Sequence, residues 1–327
     1  MTRIRTLVLI LLGWLPASCG PHPRRPTIHL TLLSTLHIPR STGRSASHPM
    51  LSPELPGGRL VGWTDGSPNA VVLDSSGVVR GPLVANSAIR AVLLCAGDTV
   101  VVVGDGKIAL YDRDLHPVRA FDVPPGEIGS AAELGNGWFA LAPMAAGKGA
   151  PVLLVDRTGR SVGSLRSLDS SLVTARAVAA GAESTIWTAQ LLGKLEFDRF
   201  DTTGRAVELI PLRRDWFPPR LALDPTPPKA HVVGFWHGDT DRFWLVAAVP
   251  HSESGLGLEP AEAIDPPGDS SGVDGVIEVT DPVETTVIAS ARFDGGFDQV
   301  VEPGVVARTR AGADGGWVVD LYRVELR

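Results

Sequence analysis

One string in the sequence has the spacing of a hydrolase nucleophile. Gly268-Asp269-Ser270-Ser271-Gly272 matches the pattern G-x-S-x-G, in which the serine sits on a sharp turn between a strand and a helix. Here Asp265-Pro266-Pro267 precedes the string, and a strand pattern rather than a helix pattern follows it. We therefore interpret the string as a loop and predict no catalytic residue in it.

Histidines and aspartates upstream of this string have the composition of a metal site. His231 and His237 are six positions apart on one predicted strand, and Asp239 and Asp241 follow. At roughly 3.3 Å per residue the two histidines would stand about 20 Å apart, so they cannot share one ion on a straight strand. We interpret 235–241 as a strand end and a turn, predict no metal, and keep His237, Asp239 and Asp241 as the candidate ligands should a metal bind.

An acidic insertion covers about 250–275. No Lys or Arg occurs between Arg242 and Arg292, and the carboxylates there lack the spacing of an EF-hand. Ca²⁺ needs six to eight converging oxygens, so the sequence predicts no cofactor, with Ca²⁺ as the alternative. We interpret the insertion as a solvated loop, or else as a loop that meets a basic partner or a cation. The acidic residues of this stretch are Glu253, Glu259, Glu262, Asp265, Asp269, Asp274, Glu278, Asp281 and Glu284.

The segment from Arg213 to Arg220 is the preferred candidate for a contact surface. It reads Arg-Arg-Asp-Trp-Phe-Pro-Pro-Arg, which contains too much proline for a strand. Trp and Arg are enriched at interface hot spots, and aromatics flanked by proline can form a rigid platform. The alternative is that the two aromatic rings cap the core between two repeats. The predicted binding residues are Arg213, Arg214, Trp216, Phe217 and Arg220.

The N-terminus has the pattern of an export signal. Two arginines in 1–5 precede an apolar run at 6–15, and small residues follow. Ten apolar residues are too few to span roughly 30 Å of hydrocarbon as a helix. We predict a signal peptide at 1–18, then a tether at 19–48 that includes a closing strand at 27–36.

The pair Ala17-Ser18 before Cys19 resembles a bacterial lipobox. The resemblance implies cleavage before Cys19 and its acylation, and hence a membrane-anchored lipoprotein in the periplasm or outer membrane. Pro16 stands where the motif usually has Leu, and the alternative is an ordinary signal peptide on a secreted protein. The other cysteine, Cys95, ends an apolar run and is predicted to be a buried hydrophobe.

Composition excludes one class of partner. The net charge is −6, from 30 basic and 36 acidic residues in 327. Nucleic-acid binders normally carry a basic face, and the longest basic clusters here are Arg24-Arg25 and Arg213-Arg214. We predict a monomer that does not bind nucleic acid.

The body of the chain is a repeat. A strand ending in Asp, a turn often closed by Gly, and a second strand recur at spacings of 38, 44, 45 and 80 residues. Asp accepts backbone hydrogen bonds in such turns and Gly supplies positive φ, so the motif predicts a hairpin between two outer strands. The Val100–Val103 run does not alternate, which predicts burial on both faces. The repeated aspartates are Asp74, Asp112, Asp156, Asp201 and Asp281.

Short strands with this period favour an all-β fold, a β-propeller of four-stranded blades over 49–327. We predict six blades at about 49–85, 86–125, 126–168, 169–214, 228–294 and 297–327, with five or seven as alternatives. The last segment has only two good strands. The strand at 27–36 would complete that blade and close the ring.

The chain resembles exported bacterial six-bladed propellers with NHL-like and TolB-like repeats. The residues that carry the resemblance are in 155–160, 185–189 and 201–204. It implies the fold and not an activity, because such propellers range from interaction scaffolds to lyases and lactonases. We expect a non-catalytic scaffold of the cell envelope that binds a protein, peptide or glycan. The alternative is a metal-dependent lyase or hydrolase with its site at the mouth of the central channel.

Overall fold

The computed structural model describes an all-β chain. Each regular element among its described residues is a strand, and these residues contain no helix long and apolar enough to cross a bilayer. The predicted fold class is therefore confirmed. The structure describes residues 26–38, 48–64, 66–74, 77, 79–85, 87–124, 128–144, 152–165, 176–181, 185–191, 195–201, 203–217, 230–238, 242–251, 272–313 and 315–327. The predicted signal peptide and Cys19 lie outside these ranges.

The strands form six four-stranded sheets, and each sheet is one blade of the propeller. Blade 1 contains β2 (Pro49–Leu51), β3 (Arg59–Thr64), β4 (Asn69–Asp74) and β5 (Val79–Val84). Blade 2 contains β6 (Ile89–Cys95), β7 (Thr99–Gly104), β8 (Lys107–Tyr111) and β9 (Pro117–Asp122). Blade 3 contains β10 (Ile128–Glu133), β11 (Phe139–Pro143), β12 (Val152–Val155) and β13 (Ser161–Leu165). Blade 4 contains β14 (Arg176–Ala180), β15 (Ile186–Gln190), β16 (Glu196–Phe200) and β17 (Ala206–Pro211). Blade 5 contains β18 (His231–His237), β19 (Phe243–Pro250), β20 (Val273–Thr280) and β21 (Val287–Phe293). Blade 6 contains β22 (Gln299–Glu302), β23 (Val305–Ala311), β24 (Trp317–Leu326) and β1 (Ile28–Ile38).

The ring is closed by its N-terminal strand, as predicted. β1 is the outermost strand of blade 6 and pairs antiparallel with β24 over nearly its whole length. The backbone of Thr27 exchanges hydrogen bonds of 2.7 and 2.9 Å with the backbone of Arg327. The strand ends at Ile38 rather than at 36, because Leu36 and Ile38 both pack in the core between blades 6 and 1.

The hydrophobic core lies between the blades. The buried side chains fall into six clusters, one at each junction between neighbouring blades. Val100 and Val102 pack toward blade 1, whereas Val101 and Val103 pack toward blade 3. This strand is buried on both faces, which explains why its hydrophobic pattern does not alternate. The fold thus needs two apolar faces on each blade. The channel and the two ends of the disc take no part in this packing, so they are the candidate locations for a functional site.

Antiparallel pairing within each blade defines two faces of the disc. Connections between first and second strands, and between third and fourth strands, lie on one face, which we call the hairpin face. The other connections lie on the opposite face, which we call the long-connection face. The longest connection on the hairpin face is 52–58, whereas the chain leaves the long-connection face after Pro211 and Pro250 and returns to it at His231 and Val273. The connections that contain the candidate contact segment and the acidic insertion therefore start and finish on the same face.

The repeated aspartates form hairpin turns on the hairpin face. The Oδ1 atom of Asp156 accepts hydrogen bonds from the backbone of Thr158 (2.8 Å) and Arg160 (3.1 Å) and from the Thr158 hydroxyl (2.6 Å). Gly159 closes this turn with a φ of 86°. In the second copy Leu115 takes the Gly position with a φ of 64°, so the turn geometry persists without glycine. The predicted role of the motif is confirmed.

These turns predict acid sensitivity. Hydrogen bonds from the turns hold the pKa values of Asp112, Asp156 and Asp201 below their usual range. A carboxyl with a depressed folded-state pKa stabilises the fold above its unfolded pKa of about 3.9 and loses that contribution as the pH falls through the folded pKa. We expect the free energy of unfolding to decrease as the pH falls below about 5. The triple Asn variant of these aspartates should show a shallower decrease in urea titrations.

The matched control replaces three exposed aspartates outside such turns, Asp98, Asp122 and Asp294, with Asn. It should follow the wild-type pH profile more closely than the triple turn variant does. Equal slopes for the turn variant and the wild type would contradict this account of the turns.

Candidate functional site

A cavity of about 240 Å³ occupies the central channel on the side of the long-connection face. Its walls come mainly from the innermost strands of the six blades, which begin at that face. Most wall residues are apolar or small, and the polar residues Arg90, Ser130 and Gln299 share the wall with them, so the cavity can take an apolar group with polar groups beside it. We call it the channel cavity. Its wall includes Met50, Leu51, Ala91, Leu93, Gly129, Ser130, Ala131, Ala177, Val178, Val233, Gly234 and Val300.

A second cavity of about 280 Å³ adjoins the first, with Val233 and Asp298 in the walls of both. We call it the side cavity. It carries the polar groups of the site, namely His48, His231 and the carboxylate of Asp298. An Asp298 oxygen accepts a hydrogen bond from the backbone of Thr309, which fixes that carboxylate at the rim. The two cavities together form a channel of mixed polarity whose mouth carries His48, His231 and Asp298.

A glutamine side chain joins the two ends of the ring at this site. The side-chain amide of Gln299 donates to the carbonyl of Leu51 (2.6 Å), and its oxygen accepts from the Leu51 backbone N–H (2.8 Å). Strand β2 has only three residues, and Gln299 acts as a strand partner for it across the junction of blades 6 and 1. The channel wall is therefore continuous where the first and last blades meet.

We expect Gln299→Leu to lower the free energy of unfolding by about 1–3 kcal/mol, since two hydrogen bonds of roughly 0.5–1.5 kcal/mol each are lost. Gln299→Glu keeps the acceptor for the Leu51 N–H but places a carboxylate against the Leu51 carbonyl. It should therefore also destabilise the protein. Urea denaturation midpoints measure both effects, and wild-type midpoints for both variants would show that this contact adds nothing.

Arginine side chains at the mouth are held by carboxylates. Arg90 lines the channel cavity and pairs with Asp105 through hydrogen bonds of 2.9 and 3.0 Å. Arg176, at the start of β14, pairs with Asp198 and bonds the hydroxyl of Thr188 at 2.9 Å. Both arginines are thereby paired with a carboxylate, which limits the net positive charge of the mouth.

The structure buries most of the predicted contact platform. The side chains of Trp216 and Phe217 are each 3% exposed and pack in the cluster between blades 4 and 5. Their positions match the alternative interpretation, in which the two rings cap the core between two blades. Arg213 is exposed, and Arg220 lies outside the described residues. Binding through this segment stays a prediction, and in this structure it cannot involve an exposed pair of aromatic rings.

Arg214 has a structural partner. Its Nε atom donates to both carboxylate oxygens of Glu278, at 2.7 and 2.9 Å, and the Glu278 side chain is 1% exposed. The hydroxyl of Thr280 donates to the same carboxylate at 2.9 Å. This contact fastens the segment that precedes blade 5 onto β20, and it explains why the neighbouring aromatic rings are buried.

The histidines that suggested a metal lie at opposite ends of one strand. His231 begins β18 on the long-connection face, whereas His237 ends it on the hairpin face and stacks against Trp187 at 6.2 Å between ring centroids. Asp239 and Asp241 lie outside the described residues. Within the described part of the chain, no group of three or more His, Cys, Asp or Glu side chains is arranged to hold a metal ion.

The acidic insertion is rooted in a buried charge network. Asp274 accepts hydrogen bonds from Arg292 (2.7 Å) and from Nδ1 of His251 (2.9 Å). Burial opposes ionisation of Asp274, but these two partners outweigh it and hold its pKa below the usual range. His251 also donates its backbone N–H to the carbonyl of Gly272 at 2.8 Å, which closes the base of the insertion. Residues 252–271 lie outside the described ranges.

Cys95 is buried, as predicted. It is 5% exposed, and burial together with the nearby Glu133 raises the pKa of its thiol far above the usual range. The thiolate is the nucleophilic form of cysteine, so burial and the raised pKa both disfavour reaction at this residue.

Comparison of the chain with known proteins finds similarity in structure and none in sequence. No protein-family profile matches it, and no curated protein matches it in sequence. A member of the DUF4221 family from Bacteroides vulgatus has a similar structure, with a TM-score of 0.59, 10% identity, and coverage of 93% of this chain and 100% of the other. A protein from Bacteroides fragilis that was inferred to be exported gives a TM-score of 0.57, 8% identity, and coverage of 91% and 95%.

A third similar structure is a catalytically inactive virginiamycin B lyase from Staphylococcus aureus with quinupristin. Its TM-score is 0.53 at 10% identity, and the match covers 90% of this chain and 99% of that one. Identities this low establish a common fold. A shared fold does not carry an activity with it, because function depends on the residues of the site.

Proposed function

We propose that this chain is a non-catalytic binding scaffold of the cell envelope whose site is the channel mouth on the long-connection face. The observation that carries the proposal is the channel cavity, which has small and apolar walls drawn from all six blades. Pockets of this kind bind ligands by burying apolar groups and use a few polar groups for orientation. The polar groups of the side cavity would supply that orientation.

Among the three ligand classes expected from the sequence, the walls favour a peptide segment, free or within a protein. An apolar peptide side chain gains free energy when it leaves water for a cavity lined by Leu93, Ala131 and Val178, whereas the hydroxyl groups of a glycan would lose hydrogen bonds there. The imidazole of His231 and the carboxylate of Asp298 can bond the amide groups of the same segment at the rim. The ligand is therefore a peptide that inserts an apolar side chain into the channel.

A lipid on Cys19 would hold the scaffold at the membrane. The proposal rests on the basic and apolar segments of 1–15 and on the small pair before Cys19. Extracytoplasmic location is also consistent with the structural similarity to an inferred exported protein. Cys19→Ser should release the protein from the membrane fraction, and mass spectrometry of the N-terminal peptide reports the modification directly.

Photo-crosslinking in cells tests the binding site while the ligand is still unidentified. Benzoylphenylalanine placed at Leu93, in the channel cavity, inserts into C–H bonds of a peptide or a glycan alike. The matched control places it at Ala120, an exposed residue on the outer strand β9. We expect a discrete adduct from Leu93 and none from Ala120, with peptide fragments in its mass spectrum. Adducts only from the control position would overturn the proposed site, and a sugar adduct would change the ligand class.

A second candidate function is a metal-dependent lyase or hydrolase at the same mouth. The observation behind it is that His48, His231 and Asp298 line one cavity, although among the described residues no three such side chains are arranged to hold a metal ion. Native mass spectrometry with metal analysis, on protein purified without added metal or chelator, separates the two functions. A stoichiometric Zn²⁺ or Ca²⁺ that is lost in His231→Ala would favour the enzyme, whereas metal-free protein favours the scaffold.

A further inference from the structure

The chain enters the propeller at the hairpin face. β1 runs antiparallel to β24, so Thr27 lies beside the last residue, Arg327, where the third strand of blade 6 ends. The end of β1, at Ile38, leads into the first connection of the long-connection face. Any anchor that precedes β1 is therefore attached on the side of the disc opposite the channel mouth.

The tether to a lipid on Cys19 would be short. Seven residues, Gly20 to Pro26, separate Cys19 from Thr27. At no more than about 3.3–3.6 Å per residue, they reach about 25–30 Å. The eleven residues of β1 span about 36 Å at roughly 3.3 Å each. Because the tether is shorter than β1 itself, the start of β1 stays close to the bilayer, and orientations with the hairpin face nearer the membrane are favoured.

The perimeter of the hairpin face carries a repeated exposed apolar residue. In four blades a valine lies six positions after the turn aspartate, at the beginning of the outermost strand. Outermost strands begin at the hairpin face, so these side chains lie near its edge. The exposed fractions are 66% for Val118, 37% for Val162, 51% for Val207 and 45% for Val287. On β1, Leu32 and Leu33 are 54% and 42% exposed, but they lie in the middle of that strand and not at the hairpin face.

The charges of this face favour a neutral lipid surface. Its turns carry both signs close together in blades 2 and 3, as in Asp112 with Arg113 and Asp156 with Arg157, whereas the 281–286 turn of blade 5 carries only the acids Asp281 and Glu284. Such a face has no net attraction to anionic headgroups. Salt weakens attraction between charges, so we expect it to change the membrane contact of this face little. Apolar contact and the tether would therefore determine the orientation.

We propose that the hairpin face is the membrane-facing side of the protein, so that the channel mouth opens away from the bilayer. The proposal rests on the lipid anchor at Cys19. Its partner is the surface of a zwitterionic bilayer, which the exposed valines of the perimeter touch. Weak contacts suffice because the anchor converts them into intramolecular contacts at high effective concentration.

Energy transfer from two ends of one strand tests the orientation. Lys107 begins β8 on the long-connection face, and Arg113 follows the end of β8 on the hairpin face. Their side chains are 43% and 71% exposed, respectively. Arg113→Cys and Lys107→Cys are labelled with a donor fluorophore in the lipidated full chain, in phosphatidylcholine vesicles that contain an acceptor lipid. Cys95 stays in place because its side chain is buried.

We expect severalfold stronger transfer from position 113 than from position 107, unchanged by salt. Equal transfer, or stronger transfer from 107, would overturn the orientation. The fourfold variant Val118→Ser, Val162→Ser, Val207→Ser and Val287→Ser should reduce the difference, and an undiminished difference would remove the valines from the account. Vesicle binding by Cys19→Ser tests the anchor separately from the orientation. If this variant bound the vesicles as well as the wild type does, the lipid anchor at Cys19 would be wrong, whatever the energy transfer shows.

Discussion

Replacing Glu278 with alanine should cost about 3–5 kcal/mol of unfolding free energy, the usual effect of breaking a buried ion pair from one side. The variant leaves Arg214, whose side chain is 13% exposed, without its carboxylate. It also removes the acceptor of the Thr280 hydroxyl. Since single domains have about 5–15 kcal/mol of stability, this change removes a large fraction of it. Chemical denaturation followed by circular dichroism measures the loss.

The control for this prediction is a surface ion pair in the neighbouring blade. Glu208 pairs with Arg199 at 3.2 Å, and the two side chains are 42% and 36% exposed. Exposed pairs contribute about 0–1 kcal/mol, so Glu208→Ala should have little effect. The double variant Arg214→Leu with Glu278→Leu should be more stable than Glu278→Ala, because no charge is left buried. Equal losses of unfolding free energy in Glu278→Ala and Glu208→Ala would show that the Arg214–Glu278 ion pair does not stabilise the fold more than a surface pair does.

The second large effect is expected at the strand that closes the ring. Leu36 on β1 has no exposed surface and packs between blades 6 and 1. Leu36→Ala should lower the free energy of unfolding by about 2–5 kcal/mol, through lost burial and the cavity that remains. Urea denaturation gives the magnitude. Increased protease cleavage within the N-terminal strand would show that closure itself has been weakened.

The same strand supplies a matched control. Leu32 is 54% exposed on the outer edge of blade 6, so Leu32→Ala should change the stability by no more than about 0.5 kcal/mol. Both variants make the same chemical change four residues apart in β1. If Leu36→Ala were as harmless as Leu32→Ala, the N-terminal strand would not be an integral part of the last blade.

The architecture could be predicted from the sequence because its signals are local. Each Asp-x-x-Gly turn is completed within five residues, as at Asp156, and therefore marks a hairpin wherever it occurs. The Val100–Val103 run indicates a strand buried on both sides for an equally local reason. Closure by the N-terminal strand could be predicted from the number of strands. The last predicted blade, 297–327, had too few strands for a four-stranded sheet, and 27–36 could supply one.

The candidate site could not be predicted in the same way. Its walls come from residues as distant as Leu51 and Val300, and only the ring closure brings these together. Gln299 gave no signal in the sequence, because its partner is a backbone group about 250 positions away. The segment with Trp216 attracted attention for its composition, but composition does not distinguish exposed aromatic rings from rings that cap a core.

The claim that the channel holds the ligand is tested most directly by filling it. Ala131 lines the channel cavity, and Ala131→Phe places a ring in that space. The yield of the adduct from benzoylphenylalanine at position 93 is then compared in this variant and in the matched surface variant Ala120→Phe. We predict a decrease of at least about tenfold for Ala131→Phe, equivalent to roughly 1.4 kcal/mol, and no change for Ala120→Phe. An undiminished yield in a folded Ala131→Phe protein would contradict binding in the channel.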